Sequence, residues 1–391
     1  MNKLECIEQR FSVTYSYPVV FTHDVFRVEN PALSSVLKNS GQNCNRILIV
    51  IDSGVFKSTP GLTEKITAYV KHHHQALDLV SSPYIMIGGE ECKKEPDEVE
   101  AVTALIDQHH LCRHSFVLAV GGGAVLDAAG FAAGIAHRGI RLIRLPTTTL
   151  SQNDAGVGVK NGINGFGRKN FLGIFAPPFA VINDFEFLKT LPARHLRAGI
   201  AEGIKVSLIK DRDFFDFLYK ARRQLAALKT DVIEKVVKRC AELHLNHIAK
   251  SGDPFEFGSS RPLDFGHWSA HKLEELTQGG LTHGEAVAVG MALDSFYSCQ
   301  VGLLQQRELN KILTTLEDIG FDLYHPYLRK MDIEKALREF QEHLGGSLTI
   351  PLIKGIGERI DVHEIRKELM EQGIDFLGER KKERRKKYGG T

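Results

Sequence analysis

Four short apolar runs punctuate the first half of the chain. Arg46-Ile47-Leu48-Ile49-Val50-Ile51-Asp52, Tyr84 to Ile87, Phe116 to Val120 and Leu142 to Leu145 are apolar or β-branched and bounded by polar residues or glycine. That pattern predicts buried strands. Between them the apolar spacing turns helical, over Leu62–His73 and Glu98–His109. Strands alternating with helices predict parallel βαβ units and a doubly wound sheet. Gly156 to Asn183 breaks the rhythm. It is rich in Gly, Asn and aromatic residues and predicts hairpins or loops. From about Leu191 the pattern is helical, over Ala193–Lys210, Asp231–Lys250, Ala270–Leu276 and Gly284–Val301. A boundary is expected near residue 190, giving an α/β domain over 1–190 and a mainly α-helical domain over 191–391, with a site in the crevice between them.

Composition narrows the function. The chain has 391 residues, 43% hydrophobic and 25% charged, which is ordinary for a globular protein of two domains. A net charge of +2 argues against a nucleic-acid binder. No apolar run approaches the ~20 residues that span a bilayer, and Met1 to Glu8 lacks the apolar centre of a signal peptide. Six cysteines are scattered without a CxxC pair, which suits reduced thiols in a cytoplasm. A metal site would therefore use histidine and carboxylate. The basic block Arg380 to Lys387 is expected to be a solvated, frayed tail, and His72, His73 and His74 to be surface residues.

Three groups of residues suggest chemistry. Phe116 to Gly123 runs a buried strand into a triple glycine, with a helix expected from Ala124 to about Ala136. Gly122 and Gly123 would let a pyrophosphate approach the helix N-terminus, or simply form a tight turn. Asp52, Gly89-Glu90-Glu91-Cys92-Lys93 and Pro146-Thr147-Thr148 follow other strands at the same sheet edge, where open α/β sheets bind ligands. In the helical half, Glu202, His267, His271 and His283 carry metal-type ligands, with His267 and His271 spaced to share one helical face. A Glu/His/His set leaves positions open on a divalent ion, best zinc; core histidines are the alternative. Asp154, Lys160, Lys169, Asn170 and Arg138 gather basic and polar groups after the triple glycine, which suggests a phosphorylated substrate or ordinary surface charge.

Taken together these motifs resemble the 3-dehydroquinate synthase superfamily of sugar-phosphate cyclases. The resemblance runs from about Ile47 to Ile360. It is carried by Gly89-Glu90 with Lys93, Gly121-Gly122-Gly123 with Asp127, Arg138-Gly139, Pro146-Thr147-Thr148, Asp154 with Lys160, Lys169-Asn170, Thr190-Leu191-Pro192, Glu202 with Lys205, Gly266-His267 and His283-Gly284-Glu285. It implies a Rossmann-like parallel-sheet domain followed by a mainly α-helical metal-binding domain. It implies Glu202, His267 and His283 as ligands of Zn2+ or Co2+, and His271 facing substrate and its phosphate. Asp154, Lys160, Asn170 and Lys205 would contact substrate, and Arg138 would reach the phosphate of a neighbouring subunit in a homodimer. Asp52, Glu90, Lys93, Gly122, Gly123, Asp127, Thr147, Thr148, Lys169 and Thr190 would contact NAD. The implied reaction is transient oxidation, phosphate elimination, re-reduction and intramolecular aldol closure.

The departures concern the substrate. 3-Dehydroquinate synthases carry Asn where this chain has Asp264, Arg where it has Ser260, and a further Lys where it has about Asn246. Their Asp-Lys-Lys falls at about Gln341-Glu342-His343, and Gly54 replaces an Asn near the ribose. A buried substrate carboxylate needs paired donors, so these losses point to a substrate without one, while Arg261, one place off, is the residue that would serve a carboxylate in the alternative. The Asp264 change is shared with 2-epi-5-epi-valiolone-type cyclases, so sedoheptulose 7-phosphate is the expected substrate, with 3-deoxy-arabino-heptulosonate 7-phosphate the alternative. A metal-dependent polyol dehydrogenase and a non-catalytic ligand-binding paralogue are the rivals from other classes.

Overall fold

A computed structural model describes residues 6–258 and 261–388, except the side chains of His343, Lys387 and Tyr388. Ser260 therefore lies outside the described residues. The first part of the chain holds β1 (Val19–Thr22), α1 (Ala32–Lys38), β2 (Asn45–Asp52), α2 (Ser53–Ser58), α3 (Leu62–His72), β3 (Leu77–Leu79), β4 (Tyr84–Met86) and α4 (Asp97–Gln108). Next come β5 (Phe116–Gly121), α5 (Gly123–Ile135), β6 (Arg141–Pro146), α6 (Thr149–Asn153), β7 (Lys160–Gly165), β8 (Arg168–Phe175) and β9 (Ala180–Asp184). Helices then dominate: α7 (Ala193–Lys210), α8 (Arg212–Ala226), α9 (Thr230–Lys250), α10 (His267–Thr277), α11 (His283–Gln300), α12 (Gln306–Ile319) and α13 (Ile333–His343). A β10 (Ile350–Ile353)–β11 (Arg359–Val362) hairpin and α14 (Lys367–Tyr388) complete the described chain.

Seven strands form one parallel sheet in the order β1-β9-β6-β5-β2-β3, with β4 pairing β2 beyond β3. Alternation along β2 explains its burial on both faces. Ile47, Ile49 and Ile51 pack with Leu33, Leu37, Ile66 and Tyr69 from α1 and α3, while Leu48 and Val50 pack with Val102, Ile106, Ala128 and Ala132 from α4 and α5. Such continuous apolar runs are what a parallel sheet covered on both sides requires. A third apolar cluster, drawn from residues between Phe185 and Leu377, is built from the helices that follow. The architecture is thus a parallel-sheet α/β unit followed by a largely helical one, as the spacing predicts.

The structure corrects four expectations. Ala180–Asp184 is not hairpin or loop but the buried strand β9, between β1 and β6 in the main sheet; the antiparallel hairpin of that region is β7–β8 alone. Ile87 lies beyond β4 and is half exposed. His73 is partly buried, its Nε2 3.0 Å from the Val28 carbonyl. The basic C-terminal block is not a frayed tail. It forms the end of α14, where Arg380 and Arg384 both donate to Glu317 at 2.8–2.9 Å and Lys381 pairs with Asp322. Charge that reads as solvated in the sequence is met by an acidic edge formed by α12 and the residues after it. Among the described residues no helix is long and apolar enough to cross a membrane, and the six cysteines are unpaired.

Glu317 is only 7% exposed and accepts from two arginines. Glu317→Ala should lower unfolding stability by roughly 1 kcal/mol, because its partly exposed partners are screened by water. Thermal or urea unfolding checks this, and no change would return α14 to the status of a loose tail.

Candidate active site

Helix α7 sets the centre of the site. Every residue from Ala198 to Ile209 is buried, including Glu202 and Lys205. Two close approaches bring histidines to Glu202. A Cβ on Gly284 would collide with the Ala198 carbonyl, so only glycine lets the start of α11 press against α7 and deliver His283. Gly266 has φ +78, and a Cβ there would sit 2.6 Å from the Met291 amide. It forms the turn into α10, whose first residue is His267. Asp294 fixes that turn, accepting from Gly266 N–H and Trp268 Nε1–H at 2.9 Å each. Burial pushes its carboxyl up to about 7 against those two bonds.

Glu202, His267 and His283 each offer a ligand atom within 4.8 Å of the others. One Glu202 oxygen pairs with Lys205; the other, Oε1, is buried without a hydrogen-bond partner and lies 3.5 Å from His283 Nε2. An orphaned buried carboxylate oxygen facing two imidazoles fits a divalent cation. Each imidazole is oriented from behind, His283 Nδ1 by Glu274 Oε1 at 2.6 Å and His267 Nδ1 by the Phe265 carbonyl at 3.2 Å, leaving both Nε2 atoms toward the cluster. Burial drives His267 well below the usual histidine range, with Lys205 and the neighbouring histidines adding to it. At His283 burial also opposes the charge, but Glu202 and Glu274 prevail and hold it up to about 10. His271 is exposed one turn along α10, its ring centroid 5.4 Å from His267 and 6.4 Å from His283, and it does not join the ligand group.

Around this cluster charges alternate. Burial works against Lys205, yet Glu202, Asp154 and Asp264 keep it firmly protonated. Asp154 stands well below the ordinary carboxylate range. Burial opposes its charge, but His244, whose Nδ1 is 2.8 Å from Oδ1, and Lys205 outweigh it. Asp264 is pushed up to about 6 by burial despite Lys205 and Lys160. Lys160 is exposed and pairs with Glu256. Arg144, fully buried on β6, donates to the carbonyls of Gly158 and Lys160 at 2.8 and 2.7 Å and so holds the backbone that presents Lys160.

The sheet edge gathers the other group. Asp52 and Gly121 end neighbouring strands, and Gly121 is in register with Pro146. A Cβ on Gly88 would strike the Asp52 carboxylate, whose Oδ1 accepts from Gly54 N–H at 2.7 Å. Gly122 stands at the N-cap of α5 without a side-chain cap, so the first N–H groups, beginning with Gly123, are open to an anion. Thr147 Oγ1 is buried without a partner. Glu90 lies in the short turn Gly89–Lys93. Lys93 Nζ meets Asp127 Oδ2 at 2.6 Å and Asn170 Oδ1 at 2.7 Å, so Asn170 joins this group rather than the metal cluster. Lys169 Nζ reaches Glu274 Oε2 at 3.0 Å and links the two groups. Two threonines are occupied locally: Thr148 caps α6 through Ser151, and Thr190 Oγ1 donates to the Phe187 carbonyl. Arg138 is exposed on a left-handed turn (φ 61) beyond α5, and among the described residues no hydrogen bond or ion pair joins it to the cluster.

Four functional side chains were missed in the sequence. Glu274 was legible, since it extends the His267/His271 face by one more step, at i+7. A charged Arg144 inside an apolar run was a signal of a paired buried cation. His244 and Glu256 gave none, one on a long polar helix and one in a loop.

Comparison with known proteins settles the family. The model described as 3-dehydroquinate synthase N-terminal matches residues 84–198, and that described as 3-dehydroquinate synthase C-terminal matches 199–343. The 2-epi-5-epi-valiolone synthase of Streptomyces hygroscopicus subsp. jinggangensis (strain 5008) is 33% identical over 374 residues, 93% of this chain and 88% of that one. The chain belongs to the 3-dehydroquinate synthase family of sugar-phosphate cyclases. Within that family, the structure of the same Streptomyces enzyme with NAD+ and Zn2+ bound superposes with a TM-score of 0.84 at 31% identity, covering 96% of this chain and 100% of that one. A 2-deoxy-scyllo-inosose synthase complexed with carbaglucose-6-phosphate, NAD+ and Co2+ gives 0.73 at 25% identity, covering 91% and 95%.

Glu274→Gln removes the carboxylate behind His283 and should weaken binding of Zn2+ or Co2+ about 10- to 100-fold, the usual effect of losing such support. Glu202→Gln should weaken it further. Titration of the metal-stripped protein with either ion reads both, and unaltered affinity in Glu202→Gln would remove the metal site.

Proposed function

We propose that the chain converts sedoheptulose 7-phosphate to a carbocycle, releasing phosphate, with NAD and a divalent ion resident in the site. The observation that carries this reading is Asp264. An acid stands where 3-dehydroquinate synthases place an amide, partly buried and in the field of Lys205. A negative or hydroxyl-accepting group there repels a substrate carboxylate and accepts from a substrate hydroxyl. The 33% identity to a 2-epi-5-epi-valiolone synthase over most of the chain supports the same choice.

In this reading residues 1–190 hold NAD. The open N–H groups at Gly122 and Gly123 take the pyrophosphate and Asp52 a ribose hydroxyl, with Glu90, Lys93, Asp127, Thr147, Thr148, Lys169 and Thr190 around them. Residues 191–391 supply the metal through Glu202, His267 and His283, for which the orphaned Glu202 Oε1 is the fitting observation. When bound, NAD would take a hydride from a ring carbon and later return it, and the ion would act as a Lewis acid toward ring oxygens. The residues of the chain do the rest. Lys205 and Asp154 orient the hydroxyls, and the His244–Asp154 pair holds a proton between Nδ1 and Oδ1. Lys160 and His271 grip the phosphate with Arg138 of a neighbouring subunit, while Asn170 positions Lys93. No net redox change occurs, because the hydride returns before the aldol closure.

Incubating the protein, loaded with NAD and Zn2+, with sedoheptulose 7-phosphate should release inorganic phosphate without accumulating NADH. NMR of the product should show a carbocycle. Turnover of only 3-deoxy-arabino-heptulosonate 7-phosphate would overturn the substrate, and stoichiometric NADH from simple polyols would return the chain to dehydrogenase chemistry. Asp264→Asn should lower kcat/KM for the heptulose phosphate by about tenfold or more, ~1.4 kcal/mol of transition-state binding.

A further inference from the structure

The turn that delivers His267 is held by an acid on the helix that delivers His283. Asp264-Phe265-Gly266-His267 closes with the His267 N–H donating to the Asp264 carbonyl at 2.9 Å. Its third residue, Gly266, has a left-handed backbone. Helix α11 backs onto this turn so closely that a Cβ on Gly290 would collide with the Gly266 carbonyl. One helical turn further along α11 stands Asp294. Its Oδ2 accepts from the Gly266 N–H and its Oδ1 from Trp268 Nε1–H, both at 2.9 Å. Helix α11 thus begins with one histidine and clamps the turn that carries the other.

An acid is an unfavourable choice for a mere packing contact. Both side chains are buried, Asp294 completely. Among the described residues no cation pairs with Asp294, and only the two N–H bonds oppose the cost of burial. Its neighbours Ala292 and Leu293 are buried and apolar, so the helix itself calls for no charge there. What a carboxylate offers is two acceptor oxygens on one rigid fork. An amide offers one, and its NH2 group would face the remaining donor. The two donors belong to the residues on either side of His267, so the fork brackets that residue. The Phe265 carbonyl, which orients the His267 ring, lies in the same turn.

We propose that Asp294 is a positioning residue for metal binding: its two oxygens bracket His267 and set where the imidazole stands relative to Glu202 and His283. This rests on those three residues holding the ion. Asp294 does not touch the ion and acts through the turn. A loosened turn misplaces both the ring and the carbonyl behind it.

The test is titration of the metal-stripped protein with Co2+, followed by its visible absorption, which reports ligand geometry. At about pH 8 the Asp294 carboxyl, pushed up to about 7, is mostly charged. Asp294→Asn should bind Co2+ about tenfold more weakly or worse, with an altered spectrum. In a Trp268→Phe background the same substitution should weaken binding less than about threefold, because the amide then faces no second donor and its oxygen can stay on the Gly266 N–H. A loss that came only from disturbed packing would be equal in both backgrounds. Such an equal loss overturns the role, and so does parental affinity and spectrum in Asp294→Asn. If Asp294→Asn fails to fold, Trp268→Phe alone carries the test. It should bind Co2+ a few-fold more weakly, and unchanged affinity and spectrum there overturn the role as well. Parental affinity in Glu202→Gln would instead remove the metal site first, and the role of Asp294 falls with it.

Discussion

The whole site follows from burying the Glu202 carboxylate in the middle of α7. Taken out of water, an unopposed carboxylate costs several kcal/mol. Lys205 opposes one oxygen, but that lysine is itself buried and needs acids of its own, Asp154 and Asp264. Asp154 in turn draws His244. The pattern extends outward through Lys160, Glu256 and Arg261. A single buried acid thus organises a relay of alternating charges from the helix core to the loop surface. Each buried member would be unfavourable alone, and removing an inner one leaves its neighbour unpaired.

Much of this was legible because the chemistry sits at positions with strict backbone demands. Gly266 and Gly284 flank their histidines because helices must touch there, and no other residue allows it. The strand-end groups Asp52, Gly121 and Pro146 were visible as the last residues of apolar runs, which alternation identifies without any tertiary knowledge. The central strands and the long helices α7, α9 and α11 came through for the same reason. Ala180–Asp184 did not, because it follows a Gly-rich hairpin and is too short to show a period of its own. The partition of the chain at residue 190 remains a reading of the pattern.

What stayed hidden depends on partners far away in sequence. Arg380 and Arg384 look solvated until Glu317 is placed beside them. Asn170 follows Lys169 in the chain, yet the two side chains diverge, one to Lys93 and the other to Glu274. Adjacent side chains of a strand point to opposite faces, but only the fold shows that Lys93 waits on one side and Glu274 on the other. Glu256 is the extreme case, since its place is set by aromatic rings on a strand some eighty residues earlier (Phe175).

The two histidines of the cluster show why environment decides what a ligand position can do. Both are the first residue of a helix, where the partial positive charge of the free N–H groups disfavours a protonated ring. His267 has only a backbone carbonyl behind it and stays neutral, ready to donate its lone pair. His283 lies between Glu202 and Glu274, and these two carboxylates hold a proton on it against both burial and the helix end. That proton stands in for positive charge the cluster requires. A divalent cation at Glu202 would supply the charge instead, so binding the ion and deprotonating His283 become one event. The carboxylate behind His283 then keeps the ring oriented and basic, and the same Glu274 ties it to Lys169 of β8. Metal site and sheet edge are therefore coupled through a single acid rather than merely adjacent.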